Sequence, residues 1–537
     1  MNINTLNNKV SVSAQITVDD VKTLADEGIT LLVCNRPDGE ASDQTTFDEI
    51  NQAAQLSGMK AVHMPFTADP STAQVEQFKT LLGEENKIHA YCRTGNRSTK
   101  LFNAAVSLQG KMAAEKSVEV DNSAYNGQRF DVVIIGAGSG GIAASASLLK
   151  RDGSLRIAIV DPSQHHYYQP GWTMVGGGIF SAESTQRNTA ELIDSRVQLI
   201  RGSATTINAD ENTIVVDGAV VLHYDQLIVS PGLVLNWGAI EGLKETLGKN
   251  GVTSNYRYDL APYTWELVQQ LKSGNALFAQ PPMPIKCAGA PQKALYLSAD
   301  HWYRTGVLNN INIDFCNAGG VLFGVSDYVP ALMEYIKKYQ AKLSFNSNLV
   351  KINGDKKLAW FETTNEAGEK IIEEKPFDMI HVCPPQVAPA FIQASGLADA
   401  AGWLDVDQAS LQHKRYSNIW GLGDVMNTPN AKTMAAVRKQ VPVVAKNVFA
   451  NRAKTNHKLE SYDGYGSCPL TVERGKVVLA EFCYGGRVAP TLPTWLLDGK
   501  KPTSAAWHLK ANILPTVYWK CMLNGREWLT DCPECES

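Results

Sequence analysis

No stretch of the 537-residue chain approaches the roughly 18 consecutive apolar residues that a membrane-spanning helix requires. The N-terminus, MNINTLNNKV, lacks the basic and apolar regions of a secretory signal, so the expectation is a cytoplasmic protein. Charge of one sign is missing too. Lys and Arg number 50 against 54 Asp and Glu, a formal net charge of −4, with the signs interspersed, which argues against a nucleic-acid partner. Cysteine is sparse and scattered, ten in the whole chain, which excludes a disulfide framework and leaves individual thiols in a reducing compartment. Cys532-x-x-Cys535 has no second CxxC to complete a tetrahedral zinc site, so no metal is expected and these residues read as tail. Repeats and low-complexity tracts are absent.

What is present is ordinary globular material, 44% hydrophobic and 19% charged, long enough for several domains. Residues 1–110 read as a compact α/β unit. Ile29–Val33 is a short apolar strand, Thr46–Leu56 has helical spacing, and Lys87–Tyr91 is a strand running directly into CRTGNRST. Residues 111–128 are polar and unpatterned, as in a linker. From Phe130 the character changes. Phe130–Ile135 (FDVVII) is a continuous apolar run, as suits a strand buried on both faces.

That strand leads into Gly136-Ala-Gly-Ser-Gly-Gly141, a helix over Ile142–Lys150 and a further strand, Arg156–Val160, ending at Asp161, 20 residues beyond Gly141. In this context the glycines bind a dinucleotide. Gly136 permits the tight turn, Gly138 lets the backbone approach the pyrophosphate, and Gly141 lets helix and strand pack closely. The helix N-terminus faces the phosphate, and Asp161 accepts from the ribose. Asn418-Ile-Trp-Gly-Leu-Gly-Asp424 is a late G-x-G-D motif of flavoproteins with two dinucleotide domains, whose Asp meets the ribitol of FAD. An NAD(P)H-dependent enzyme of this architecture needs a second glycine fingerprint. The corresponding stretch, from Ala276 to Lys293, holds prolines and Cys287 instead, so the expected donor is not NAD(P)H.

Residues 129–528 resemble the eukaryotic-type sulfide:quinone oxidoreductases. The resemblance rests on VVIIGAGSGGIAA, HHYYQPGWTMVGGG, PIKCAGAPQKALYLSA, LQHKRYSNIWGLGD, YDGYGSCPL and HLKANILPTVYWKCML. It implies FAD, two redox cysteines above the flavin, sulfide attack that leaves a persulfide, and electron transfer to quinone. Cys287 matches the first cysteine, and Lys286 and Lys293 nearby favour its thiolate. The second is placed by the resemblance directly after the G-x-G-D aspartate, where this chain has Val425. Cys383 at the end of the strand Asp378–Val382 is the expected replacement, with Cys316 and Cys483 as alternatives.

Residues 1–110 resemble the phosphatase-like domain of the beta-lactamase-hydrolase-like proteins, through NRPDGE and AYCRTGNRST. Loop N–H groups, a following helix and Arg97 would stabilise a thiolate at Cys92. Four residues separate Cys92 from Arg97, where phosphatases place five, and four is the spacing of many sulfur-transferring rhodanese loops. Sulfur transfer, phosphatase action with Asp69 as general acid, and an inactive anion-binding loop all stay open.

Trp507, Leu509, Ile513, Leu514, Val517, Tyr518, Met522 and Leu523 recur at near-helical spacing beside Lys510, Lys520 and Arg526. Such a segment lies in a membrane interface or packs on the body. The expected fold class is α/β: a dual-specificity-phosphatase-like front domain, two Rossmann-like domains (129–245 with 400–455, and 246–399) and a C-terminal amphipathic region, 456–537. The expected function is FAD-dependent oxidation of sulfide or a related sulfur species, with electrons passed to quinone, peripheral on the cytoplasmic membrane face. A homo-oligomer is left open. The rivals are an NAD(P)H-dependent flavin reductase and a flavin-bound sensor or scaffold without turnover.

Overall fold

The computed structural model describes residues 3–6, 9–67, 70–83, 86–115, 121–364, 368–454 and 458–530. The chain divides into two compact units, Met1–Val120 and Asp121–Ser537.

The front unit is built on a five-stranded sheet in the order Ile3–Thr5, Val10–Ser13, Ile88–Tyr91, Leu31–Cys34, Lys60–His63. Leu31–Cys34 and Ile88–Tyr91 are buried at every position, as central parallel strands covered on both faces must be. Two of the covering helices, Val18–Asp26 and Phe47–Leu56, start at complete capping boxes, Thr17 with Asp20 and Thr46 with Glu49. The helix Asn96–Glu115 follows the Ile88–Tyr91 strand. It runs past residue 110 into the segment expected to be linker, because QGKMAAE contains nothing that stops a helix.

In the second unit the first sheet is ordered Gln198–Ile200, Ile157–Val160, Arg129–Ile135, Val220–Val229, Thr213–Val216, Ala204–Asn208. Ile419–Gly421 adds itself in parallel to Val220–Val229, pairing Leu227 with Ile419. The strand before the glycine loop and the strand before Asp424 therefore flank Val220–Val229, and both motifs emerge at the same sheet edge. A second, parallel sheet orders Val252–Thr253, Met379–Val382, Gly274–Gln280, Ile311–Asn317 and Lys342–Phe345. The two Rossmann-like sheets are those expected.

The C-terminal region is not a loose appendage. The hairpin Gly466–Glu473/Lys476–Phe482 packs Cys468, Leu470, Val472, Val478 and Ala480 into the core around the helix Ala290–Arg304. Beyond it, Ser504–His508 passes through a π turn, Leu509–Ile513, into the helix Leu514–Lys520. Tyr518, Met522 and Leu523 are buried in the first-sheet core. Among the described residues no helix is long and apolar enough to cross a membrane.

Candidate active site

The glycine loop is shaped by steric necessity. Gly136 has φ +102°, and a Cβ there would lie 2.3 Å from the Ser230 carbonyl oxygen. A Cβ on Gly141 would lie 1.8 Å from the Gly136 carbonyl oxygen, which is the close helix–strand packing the motif requires. Gly138 differs. It caps the helix Ser139–Arg151, and a Cβ there meets nothing within 4 Å, because it faces a cavity. Asp161 closes the loop, accepting from Ala137 N at 2.6 Å and from Ser163 N at 2.7 Å. Burial raises its pKa. Asp424 lies in the turn Gly423–Val425, where Lys432 Nζ donates to the carbonyls of Asp424 and Met426 at 2.8 and 2.7 Å. Burial also pushes the Asp424 carboxyl up, against Lys432 and Lys286.

One cavity of about 620 Å³ extends along Gly138, Asp161 and Asp424 to Cys287, Lys293 and Lys510. On its wall Trp172 Nε1, Thr173 Oγ1 and both side-chain atoms of Asn255 are buried with no hydrogen-bond partner among the described residues. Orphaned buried donors and acceptors cost free energy unless a polar ligand meets them. Together with the open face of Gly138, they fit FAD.

At the far end two thiols meet. Cys287 stands between the strand Gly274–Gln280 and the helix Ala290–Arg304, with its N–H on Lys432 O at 2.9 Å. Its φ of +50° is left-handed, a strained conformation that clusters at functional sites. Its Sγ lies 3.7 Å from Sγ of Cys468, which the hairpin presents from a buried strand position. Gly289 makes room, since a Cβ there would sit 2.5 Å from Cys468 Sγ. Lys293 Nζ donates to Cys287 Sγ at 3.1 Å. The Cys468 thiol and the Lys293 ammonium hold the Cys287 pKa well below the ordinary thiol value, despite burial. Cys468 is raised correspondingly, as the donor to that thiolate and by burial. Lys510, in the π turn, donates to Pro469 O at 2.9 Å. Burial and the neighbouring Lys293 push its pKa well below that of a free amine.

The thiol in contact with Cys287 differs from the expected Cys383. Cys383 is buried beside Tyr256 and Gln386, and burial pushes it up to about 12; the sulfur that meets Cys287 is Cys468. Val425 is fully buried in the first-sheet core. Cys316 sits with Lys375, Asp314 and Ser344 in a separate buried cluster, and Cys483 packs near Asp463. Two signals for Cys468 stand in the sequence: YDGYGSCPL itself and the alternating strand around it. Neither says that a hairpin 181 residues further on reaches the Cys287 loop. Lys510 was legible only as one of the tail's basic residues.

In the front unit, Cys92 follows the strand Ile88–Tyr91, and Gly95 N donates to its Sγ at 3.1 Å. Burial raises the Cys92 pKa, but the loop N–H groups of Ser98, Thr94, Arg97 and Gly95 outweigh it, and the net shift is downward. Arg97 forms a two-pronged pair with Glu40, at 2.7 Å on each arm, and also donates to Phe66 O. Arg36 binds the same carboxylate at 3.0 Å, and the Glu40 pKa falls to about 2, chiefly through Arg97. Asp69 lies outside the described residues, as do Cys532 and Cys535.

Comparison with known proteins places both units. Residues 2–109 match the family "Beta-lactamase hydrolase-like protein, phosphatase-like domain", and residues 130–267 match "Pyridine nucleotide-disulphide oxidoreductase". The chain is 42% identical over 402 residues to the mitochondrial sulfide:quinone oxidoreductase of Dictyostelium discoideum, covering 74% of this chain and 86% of that protein. It is 37% identical over 426 residues to the mouse mitochondrial enzyme of the same name, covering 79% and 93%. The crystal structure of the Aquifex aeolicus sulfide:quinone oxidoreductase superposes with a TM-score of 0.63 at 19% identity, over 76% of this chain and 98% of that one. These relatives are FAD-binding flavoproteins, in agreement with the cavity. The chain belongs to the sulfide:quinone oxidoreductase family, with a beta-lactamase-hydrolase-type phosphatase-like domain in front.

Proposed function

We propose that the second unit oxidises sulfide at the Cys287–Cys468 pair and passes two electrons through FAD to a quinone. The observation that carries this reading is the 3.7 Å contact of Cys468 with Cys287, which lines the same cavity as the glycine loop. In the oxidised pair, HS⁻ attacks one sulfur, the S–S bond breaks, one cysteine keeps the new sulfur as a persulfide and the other leaves as thiolate. A nucleophilic acceptor then removes the persulfide's outer sulfur. The two thiolates that remain give up two electrons and re-form their bond. FAD, when bound, supplies the two-electron carrier between thiols and quinone. The protein's part is electrostatic: Lys293 holds the Cys287 thiolate, and Lys510 enters the site as a buried amine with a lowered pKa.

The quinone side calls for a membrane surface. Ile513, Trp528 and Leu529 line the cavity and are also exposed, and we assign them to contact with the bilayer interface. In the front unit the depressed Cys92 thiol and the four-residue spacing to Arg97 support a sulfur-accepting thiolate rather than a phosphatase. The test is anaerobic mixing of the purified protein with sulfide, then with a soluble quinone. Rapid loss of flavin absorbance followed by recovery is expected. A flavin that stays oxidised with sulfide but bleaches with NADH would overturn the reading.

A further inference from the structure

Lys286 and Cys287 are adjacent, yet they serve different parts of the cavity. Cys287 meets Cys468, whereas the Lys286 ammonium donates to Gln169 Oε1. It lies over the rings of Trp172 and Tyr256, 5.6 and 5.8 Å from their centroids. Its base is pinned as well. Lys286 N donates to Gln386 Oε1 at 2.6 Å, and the Tyr256 hydroxyl donates to the carbonyls of Lys286 and Cys287 at 3.0 and 3.3 Å. The ammonium lines the cavity with Asp424 and Cys287.

Lys286 makes no ion pair among the described residues. Lys432, its neighbour across a backbone bridge, is satisfied by two carbonyls and by the Trp403 ring at 4.3 Å; Lys286 has one amide and two ring faces. Lys286 is half-buried, and desolvation of its ammonium lowers its pKa, opposed by Asp424, Cys287 and Cys383. A cation fixed this firmly without a direct ion pair suits a ligand that becomes negative only during the reaction. Electrons arriving from the thiol pair create such a charge on the cofactor.

We propose that Lys286, clamped by Gln169, Trp172 and Tyr256, is the fixed cation that stabilises the reduced, negatively charged form of the cofactor and so raises its reduction potential. The proposal rests on the reading that this cavity holds FAD. It assigns Lys286 an electrostatic role separate from that of Lys293, which serves the thiolate.

The test is an anaerobic equilibrium titration of the full-length holoprotein against a reference redox dye, for wild type, Lys286→Met, Lys286→Arg and Gln169→Leu. At a fixed dye ratio, Lys286→Met should leave the flavin about tenfold richer in its oxidised form, ~30 mV for a two-electron couple. Lys286→Arg should stay near wild type. Gln169→Leu keeps the charge but frees it, and should move the ratio about threefold, or ~14 mV, in the same direction. An unchanged ratio in Lys286→Met overturns the proposal and leaves Lys286 as a packing pillar. Should Lys286→Met fail to retain flavin, an unchanged Gln169→Leu overturns it equally. The titration uses neither sulfide nor quinone, so its outcome is independent of the sulfide reading, while a wild-type protein without flavin would sink the FAD reading instead.

Discussion

Cysteine 468 stands as the thiol donor to Cys287, which carries the charge, so the two are electrostatically unequal although chemically alike. Cys468→Ser keeps the volume and removes the second sulfur. Sulfide should then bleach the flavin slower by on the order of 10³-fold, the scale of losing one member of a group that acts as a unit. Stopped-flow absorbance reads this directly. Cys383→Ser should change the rate by less than about threefold, because a thiol held near 12 by burial supplies almost no thiolate. Loss of bleaching in Cys383→Ser with Cys468→Ser unaffected would reverse the assignment. Lys293 tests the electrostatics. Its ammonium lowers the Cys287 pKa, so Lys293→Met should raise it. The pH profile of bleaching should then shift upward by about 1–2 units, with activity lost near neutrality and recovered at higher pH. A profile that falls in height without moving would mean that Lys293 only packs.

The helical tail is the element whose role the structure changes most. It is docked onto the dinucleotide fold rather than trailing from it. Tyr518 hydrogen-bonds His166, whose other ring nitrogen meets Ala137 O at 3.0 Å in the glycine loop. Glu527 receives both arms of Arg151 at 2.7 and 2.8 Å and the Ser147 hydroxyl at 2.5 Å. Gly525, at φ +65°, passes so near Ala146 that a Cβ would meet backbone at 2.8 Å. Burial alone would raise the Glu527 pKa, but Arg151 and Ser147 lower it overall. A carboxylate depressed in the fold contributes stability above its unfolded value of about 4.3 and loses it as pH falls through the folded value. Limited proteolysis within the tail should therefore be slow at neutral pH and accelerate below pH ~4. Glu527→Gln should be cut faster at neutral pH, with little further acceleration on acidification. Equal pH dependence in both proteins would show that this carboxylate does not hold the tail.

On the scale of the molecule, two units with separate cores carry two separate thiol sites. Cys92→Ser should leave sulfide-driven flavin bleaching within about twofold of wild type, since the substitution lies in a unit with its own core. In the wild type, thiosulfate should transfer its outer sulfur to the Cys92 thiolate with release of sulfite, and mass spectrometry of that peptide should find the persulfide. Steady hydrolysis of a phosphotyrosine analogue that depends on Cys92 would instead favour the phosphatase reading. Replacing Trp528 and Leu529 together by Ser should release the protein from liposomes. It should also weaken turnover with long-chain quinones more than with soluble ones, because those side chains are exposed at the cavity. Unchanged liposome binding would assign the patch to another contact.

Local rules made much of this protein legible. Continuous apolar runs announced the buried parallel strands, and Gly138, Asp161 and Asp424, read as parts of a dinucleotide site, line one cavity, because turn sterics and helix–phosphate geometry act within a few residues. The same locality explains Cys92, which a strand, a loop and a helix bring to a point. Cys287 was legible through its neighbours; Cys468 was not, and Cys383 took its place in the reading. Adjacent strands show no preference for a particular distant loop. Only packing of the C-terminal hairpin onto the helix Ala290–Arg304, with Gly289 leaving space, brought the second sulfur to the first. Burial likewise settled the tail, since an amphipathic pattern describes equally well a helix facing lipid and one facing protein. Tyr518 and Lys510 turn inward while Ile513 and Trp528 remain exposed. Sequence determined which chemistry the chain can hold, and the long-range fold decided which thiols come together, because contacts between distant segments are set by shape and burial rather than by local order.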